Sequence, residues 1–168
     1  MNLLDIRDEN PLWEAVQEWW ERLEHNKGVR AELRKATTPY EVFLTSAFQR
    51  NFIPSLHKAG IHMSTSSAEK LALPVGVLSH VRTLCKKHTA TLLAATDENK
   101  KKAADMRFRK LLSETDRDAA YVALVRMVKH YGRQAELKSL IRGGYWWNEL
   151  THREWAREYY APNYNDEK

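Results

Sequence analysis

The sequence predicts an all-α protein, folded as a compact multi-helix bundle in two small lobes. Apolar residues recur at three- and four-residue spacing, helix-start signals precede several of these segments, and no alternating strand pattern or hairpin dipeptide interrupts them. A chain of 168 residues, 43% of them hydrophobic, can bury a core without disulfides or metals. The most hydrophilic run, TDENKKK, predicts the boundary between an N-terminal lobe of residues 1–96 and a C-terminal lobe of residues 97–168.

The sequence of the N-terminal lobe contains several helix-start signals. Asn10 before Pro11 predicts an N-cap with proline at the first helical position. Thr38 followed by Glu41 fits a capping box, in which hydroxyl and carboxylate satisfy free backbone N–H groups. The predicted helices begin near Pro11, Val29, Pro39, Pro54 and Ser66, and a last one runs over 75–95 with Leu78, Val81, Leu84 and Cys85 on one face.

The C-terminal lobe shows four further helical segments. The pattern predicts helices over 103–115, 117–131 and 134–142. The segment RGGYWWNEL breaks the pattern, and Thr151 with Glu154 then predicts the start of the final helix. We expect Trp146 and Trp147 to pin that helix onto the body of the protein, because such rings bury a large area. Trp19 lies on the apolar face of the first helix and is expected in the core.

The cysteine content and the hydropathy pattern favour the cytoplasm. Cys85 is the single cysteine, so no disulfide can form within the chain, and a reducing compartment is expected. No apolar run approaches the roughly 20 residues that a membrane span needs. The first residues lack the basic start and apolar stretch of a signal peptide.

Positive charge is concentrated in the middle of the chain. Residues 1–24 carry two cations and seven anions, whereas residues 25–142 carry 22 cations and ten anions, a net charge of +12. Residues 143–168 carry three cations and five anions. Such a basic segment favours a polyanionic partner, although it also occurs on proteins that use it only for solubility.

No catalytic constellation stands out. The seven histidines form no H-E-x-x-H motif and have no cysteine partners at zinc-site spacing. The sequence also lacks a G-x-S-x-G motif, a Walker A loop and a dinucleotide fingerprint. The helical spacing of Cys85 predicts a buried hydrophobe rather than a nucleophile. We therefore expect a protein without enzymatic activity, metal or cofactor.

One helix face carries cations without acids. Arg126, Lys129 and Arg133 fall within a strip about 60° wide, because spacings of three and four residues return to one face of a helix. The buried side is expected to consist of Tyr121, Leu124, Val125, Val128 and Tyr131. A row of this kind suits the phosphates of a nucleic acid, but it reads no base and would also suit a merely solvated face.

The order of several segments resembles a known family. RAELRKATTPYEVFLTSAFQRNF, RFRKLL and VRMVKHYGRQAELKSLI occur in that order, followed by Trp155 and Tyr160 in the closing segment. This series resembles the CasB family, the small subunit of the type I-E CRISPR Cascade surveillance complex. The resemblance covers about residues 30–56 and 104–160, and residues 60–100 match nothing in it.

The resemblance implies a non-enzymatic, two-lobed, all-α subunit. It implies two copies of the subunit within the complex, contacts with the other Cascade subunits, and basic surfaces that help to hold the guide RNA–target DNA hybrid and the displaced strand. Sequence recognition in such complexes comes from base pairing with the guide RNA. A protein that binds phosphates without base-specific contacts fits that role. Carried over segment by segment and joined to the basic strip, the expected nucleic-acid-binding residues are Arg30, Arg34, Lys35, Arg50, Arg107, Arg109, Lys110, Arg126, Lys129, Arg133 and Arg142.

Two alternatives come from different classes of protein. A free-standing helical DNA-binding regulator would need two helices joined by a short turn and a base-reading helix. The nearest approach is KKHTATLLAATDENKKKAADMRF, whose long polar linker fits badly. A helical adaptor would instead bind other proteins through its Trp-rich ends.

Overall fold

The computed structural model describes residues 10–94 and 97–161, and helices dominate both ranges. This confirms the predicted all-α fold. The α-helices are α1 (Pro11–Arg22), α2 (Lys27–Lys35), α3 (Pro39–Leu44), α4 (Ile53–Lys58), α5 (Thr65–Leu78), α6 (Thr89–Leu93), α7 (Glu98–Ser113), α8 (Arg117–His130), α9 (Leu137–Tyr145) and α10 (Glu149–Tyr160). A 3₁₀ turn (Leu23–His25) follows α1, and a π-helix (Ala47–Phe52) leads into α4.

Two capping signals in the sequence are confirmed. The side chain of Asn10 accepts a hydrogen bond from the Leu12 amide at 3.0 Å, with Pro11 at the first helical position. Thr38 Oγ1 accepts one from the Glu41 amide at 3.1 Å. The Glu41 carboxylate binds the amide and hydroxyl of Thr37, so only half of the expected capping box forms. The bonds that Asn10 and Thr38 accept satisfy amides that a helix leaves without partners in its first turn.

Aromatic side chains form the core around α1 and the π-helix. Trp19 is buried, as its position on the apolar face of α1 predicts. Its ring meets Phe52 edge to face at a centroid distance of 4.9 Å, and Phe48 lies 5.3 Å from Phe52. The Trp19 indole N–H donates to Asn51 Oδ1 at 2.7 Å. A buried indole needs such an acceptor, and the bond orients the Asn51 side chain.

The predicted helix over 75–95 is wrong. Helix α5 ends at Leu78, and the chain then enters β1 (Thr83–Leu84), which pairs in parallel with β2 (Gln134–Ala135). The amide of Cys85 donates to the carbonyl of Ala135 at 2.8 Å. This long-range pairing satisfies backbone groups that a continuous helix would satisfy locally, and periodicity in the sequence cannot reveal it. The helix predicted over 134–142 begins only at Leu137, because Gln134 and Ala135 form β2.

Two residues of this region have structural roles that the helix prediction missed. Cys85 is half-buried, with Sγ 3.6 Å from Gln134 Oε1, rather than a core hydrophobe on a helix. His88 is the N-cap of α6, and its Nδ1 accepts a hydrogen bond from the Ala90 amide at 3.0 Å.

The chain forms two compact units, Met1–Ser79 and His80–Lys168. The sequence places the lobe boundary after residue 96, so the two divisions differ in the position of residues 80–96. Within the second unit, Thr89 Oγ1 accepts a hydrogen bond from the Glu136 amide at 3.0 Å, and the Thr89 amide donates to Ser139 Oγ at 3.0 Å. These bonds and the β1–β2 pairing connect residues 80–94 to β2 and α9.

The C-terminal helices begin and end at other residues than predicted. Helix α9 continues through both glycines of RGGYWW to Tyr145. The N-cap of α10 is Asn148, whose Oδ1 accepts from the Thr151 amide at 3.2 Å, so the predicted start at Thr151 is wrong by three residues. Trp147 is buried and donates to the Glu114 carbonyl at 2.9 Å, whereas Trp146 is 44% exposed. Only Trp147 therefore anchors this region in the way predicted for the pair.

A close helix approach explains one of the two glycines. A Cβ placed on Gly143 would lie 2.8 Å from Trp155 Nε1 and 2.9 Å from Cζ2. We expect Gly143→Ala to lower the free energy of unfolding by about 1–3 kcal/mol, because the indole is buried and cannot move aside. The measurement is urea denaturation followed by circular dichroism.

Gly28 provides the matched control for Gly143→Ala. It lies in α2, and a Cβ there meets nothing within 4 Å. Gly28→Ala is therefore expected to raise the stability by roughly 0.5–1 kcal/mol through the helix propensity of alanine. Equal effects of the two substitutions would show that Gly143 is not needed for the approach of Trp155.

No helix in the described part of the chain is long and apolar enough to cross a membrane.

Candidate nucleic-acid interface

Helices α7 and α8 pack against each other in the second unit and enclose a groove of about 750 Å³. Five of the cations predicted from the sequence line this groove. They are Arg107, Lys110, Arg126, Lys129 and Arg133. The structure thus brings two of the three cations of the RFRKLL segment, Arg107 and Lys110, together with the basic strip, although the two groups belong to separate segments of the sequence.

Each helix places its cations opposite a buried apolar face. In α7, Phe108 and Leu111 are fully buried, which leaves Arg107 and Lys110, three residues apart, on the exposed side. In α8, Leu124 and Val128 are buried as predicted, together with Met127, while Val125 and Tyr131 are only half-buried. Burial of these apolar side chains fixes the rotation of both helices and so the direction of the cations.

The groove combines a cationic rim with apolar lining. Apart from its five cations, it is lined by Ala119, Val122, Ala123, Met127, His130 and one carboxylate, Glu114. Five cations and one anion give the lining a formal charge of +4 with His130 neutral. The sequence reasoning missed Glu114, although its four-residue spacing from Lys110 places it on the same face of α7.

Three of the groove cations are available to a ligand. Lys110, Arg126 and Lys129 are exposed, and none of their side chains makes an ion pair or hydrogen bond with another residue in the described ranges. Arg107 is also exposed, but its Nη1 donates to Tyr131 Oη at 2.8 Å. That bond positions Arg107 beside the C-terminal end of α8 and leaves its other N–H donors for a ligand.

Arg133 differs from the rest of the basic strip. It is half-buried, its φ is +54°, and its Nη1 donates to the His80 carbonyl at 3.3 Å. Its own carbonyl accepts a hydrogen bond from the Arg82 amide at 2.8 Å. The sequence places all three strip residues away from the expected buried side and so predicts that they face solvent, which is correct for Arg126 and Lys129 and wrong for Arg133. The left-handed turn after Gly132 takes Arg133 off the helix and towards its partners.

Arg142 belongs to a half-buried polar cluster and does not line the groove. Its Nη2 lies 3.8 Å from Glu154 Oε1, and its Nε is buried. Glu154 also contacts His88 Nε2 at 3.2 Å. The hydrogen bond from His88 lowers the pKa of Glu154, burial opposes this effect, and the charge of Arg142 adds to it. Arg142 thus stabilises a carboxylate between α9 and α10.

The remaining predicted cations do not line the groove. Arg109 is exposed on another side of α7. Lys35 and Arg50 are exposed in the first unit, and Arg30 is half-buried there. Arg34 is half-buried, and its Nε donates to the Ser79 carbonyl at 2.6 Å. The eleven residues therefore form one cluster of five and several separate positions.

The bond to Ser79 predicts a structural role for Arg34. We expect Arg34→Ala to lower the free energy of unfolding by about 1–3 kcal/mol, because the substitution removes a charge-assisted hydrogen bond from a partly buried carbonyl. Lys35→Ala, which removes the same charge from an exposed neighbour, is expected to change stability by less than about 0.5 kcal/mol. Chemical denaturation of both variants tests this, and similar stabilities would contradict the assignment.

Within the described ranges, no group of three or more His, Cys, Asp or Glu side chains could hold a metal ion.

Comparison with protein families gives a match over most of the chain. The family model for CRISPR-associated protein Cse2 matches residues 29–160. The matched range contains all of the predicted site residues and the whole α7–α8 groove, whereas α1 lies outside it. No match was found among curated proteins or among solved structures.

Proposed function

Because this chain belongs to the CRISPR-associated Cse2 family, the CasB small subunits that its sequence resembles, we propose that it is a non-catalytic subunit of a type I-E Cascade surveillance complex. In that complex it binds nucleic acid without sequence preference and stabilises the R-loop, which consists of the guide RNA–target DNA hybrid and the displaced strand. Its proposed partners are the guide RNA, the target DNA, the other Cascade subunits and a second copy of itself, in the cytoplasm.

The α7–α8 groove is the single observation that carries the proposal. Its free cations match what a phosphate backbone requires, since each contact neutralises one phosphate and releases counterions. The remaining lining, apart from Glu114 and His130, is alanine, valine and methionine. Such side chains offer no hydrogen-bonding pattern that could distinguish one base edge from another. The groove therefore supports binding to phosphates without readout of sequence.

Binding of this kind suits a complex in which base pairing selects the target. Guide RNA supplies sequence recognition, so a subunit that preferred certain bases would distort target choice. A phosphate-binding groove stabilises whichever hybrid or displaced strand the guide produces. We assign the groove no catalytic role, because its lining contains only one carboxylate and one histidine besides cations and apolar groups.

The experiment is co-purification from a cell that expresses a complete type I-E system. Tagged protein is expected to retain the other Cascade subunits and guide RNA, identified by mass spectrometry and RNA sequencing. Purified complex is then assembled with matched and mismatched targets, and R-loop lifetime is measured with wild-type protein and with the Lys110, Arg126 and Lys129 alanine variant. Shorter R-loop lifetimes with that variant support the proposal.

The alternatives give different results in the same experiment. A free-standing regulator would copurify with no guide RNA and would prefer one duplex sequence. A protein-binding adaptor would copurify with the complex, but the alanine variant would leave nucleic-acid binding and R-loop lifetime unchanged. Either result would contradict the proposed function.

A further inference from the structure

A second basic pocket lies in the first unit, between α1 and the segment formed by the π-helix and α4. Its volume is about 480 Å³, within the range typical of small-ligand sites, roughly 300–1,000 Å³. Three cations line it: Arg22 from α1, Arg50 from the π-helix and Lys58 from α4. All three are exposed, and none makes an ion pair or a hydrogen bond through its side chain with another described residue.

The polar lining of this pocket contains an oriented donor. An indole N–H can only donate, so the bond from Trp19 at 2.7 Å requires Asn51 Oδ1 to face the ring. The Asn51 Nδ2 group therefore points away from Trp19, and no acceptor within the described ranges is bonded to it. Asn51 lines the pocket, so its amide is available to donate a hydrogen bond to a group bound there.

We propose that this pocket binds a phosphate group, with its three cations neutralising the charge and Asn51 donating a hydrogen bond. The cations outnumber the one lining acid, Glu18, and leave a formal charge of +2. A phosphate group offers several acceptor oxygens to donors that come from different directions, whereas a carboxylate offers only two in one plane. Cations from three elements and an amide suit the phosphate better.

The acidic residues of α1 limit how much nucleic acid can approach the pocket. Glu14, Glu18 and Glu21 are exposed on that helix and lie on or beside the wall that supplies Arg22. A long duplex would bring many phosphates close to these carboxylates, while one phosphate of a flexible single strand, or a free phosphate, would meet mainly the cations. We infer that the pocket takes isolated phosphates and not an extended backbone.

This site is distinct from the groove between α7 and α8. It lies in the other compact unit, and Arg22 precedes the range that the Cse2 family model matches. The inference therefore does not depend on the proposed role of the groove. Arg50 was expected to bind nucleic acid from its sequence segment alone, and the structure adds Arg22, Lys58 and Asn51 as its companions.

The test follows two side-chain signals in ¹⁵N-labelled full-length protein. The Asn51 amide and the Trp19 indole N–H are expected to shift on titration with inorganic phosphate, with single-stranded dT12, or with both. Arg22→Ala and Lys58→Ala are each expected to weaken binding of the probe that causes the shifts by about tenfold in Kd, the equivalent of one charge-assisted hydrogen bond. Lys27→Ala is the control, because it removes an exposed cation of the same unit that does not line the pocket.

The outcomes separate the possible ligands and the two sites. Shifts with dT12 alone identify a strand phosphate, and shifts with inorganic phosphate, with or without shifts with dT12, identify a site open to free phosphate. Each of these results supports the proposal. An oligoglutamate peptide, titrated in the same way, serves as the carboxylate probe. The proposal would be overturned by the absence of shifts with phosphate and dT12, by shifts with oligoglutamate only, or by a Lys27→Ala variant that weakens binding as much as the pocket variants do. The Lys110, Arg126 and Lys129 alanine variant keeps this pocket intact. If that variant loses nucleic-acid binding but keeps the Asn51 shifts, the inference about the pocket stands. If the Asn51 shifts are absent but the variant still loses nucleic-acid binding, only the proposed role of the groove stands.

Discussion

Replacing Lys110, Arg126 and Lys129 together by alanine is expected to weaken binding to single-stranded and duplex DNA uniformly across sequences. These three cations line the α7–α8 groove, are exposed and have no side-chain partner in the described part of the chain. If each contacts one phosphate, the log–log salt slope on duplex DNA becomes shallower by about 2.7. The affinity ratio of wild type to variant should then fall about 40-fold between 50 and 200 mM salt.

The choice of the three residues follows from the structure. Arg133 also lines the groove, but its bond to the His80 carbonyl means that a substitution there would disturb the fold as well as the surface. Exposed substitutions away from such contacts usually change stability by less than about 0.5 kcal/mol each, so the variant should melt close to wild type.

The matched control removes three cations of the same unit from outside the groove. Lys100, Lys101 and Lys102 lie near the start of α7, are exposed and do not line the groove. Their joint replacement by alanine changes the net charge by the same amount as the groove variant does. It is nevertheless expected to keep most of the wild-type salt dependence of DNA binding. Filter binding or fluorescence anisotropy across a salt series measures both variants. Equal losses would mean that overall charge, and not the groove, controls binding.

Trp155→Ala is expected to lower the free energy of unfolding by about 3–5 kcal/mol, the range for removing a large aromatic side chain from a core. Trp155 is only 1% exposed. Its ring packs edge to face with Trp147 at 5.5 Å and with His88 at 5.6 Å, and its indole covers Gly143. The ring thus connects α10 to α9 and to the N-cap of α6, so its loss opens a cavity among three elements.

Trp146 supplies a control of the same residue type. It is 44% exposed, so truncating it removes less buried area and leaves no enclosed cavity. Trp146→Ala is expected to cost less than about 1 kcal/mol. Urea denaturation followed by circular dichroism compares the two variants. A Trp155→Ala protein as stable as Trp146→Ala would show that the region around α9 and α10 repacks without the ring.

The sequence alone determined the helical class, several helix starts and the direction of the basic faces. These properties depend on interactions within a few residues of each other. Asn10 and Thr38 cap helices because their side chains reach amides two or three positions away. Arg126 and Lys129 face outward because the helical repeat that buries Leu124 and Val128 leaves them on the opposite side.

Only the tertiary structure decided where the chain leaves a helix to pair at long range and which cations gather at one site. Thr83 pairs with Gln134 across about 50 residues, a contact that no local spacing can encode. The same limit applies to the cations. Arg34, Arg133 and Arg142 look like their neighbours in sequence, but each is held by a carbonyl or a carboxylate from a distant segment. Packing brings those partners close, and an arginine with its N–H groups bonded inside the protein has fewer left for a phosphate.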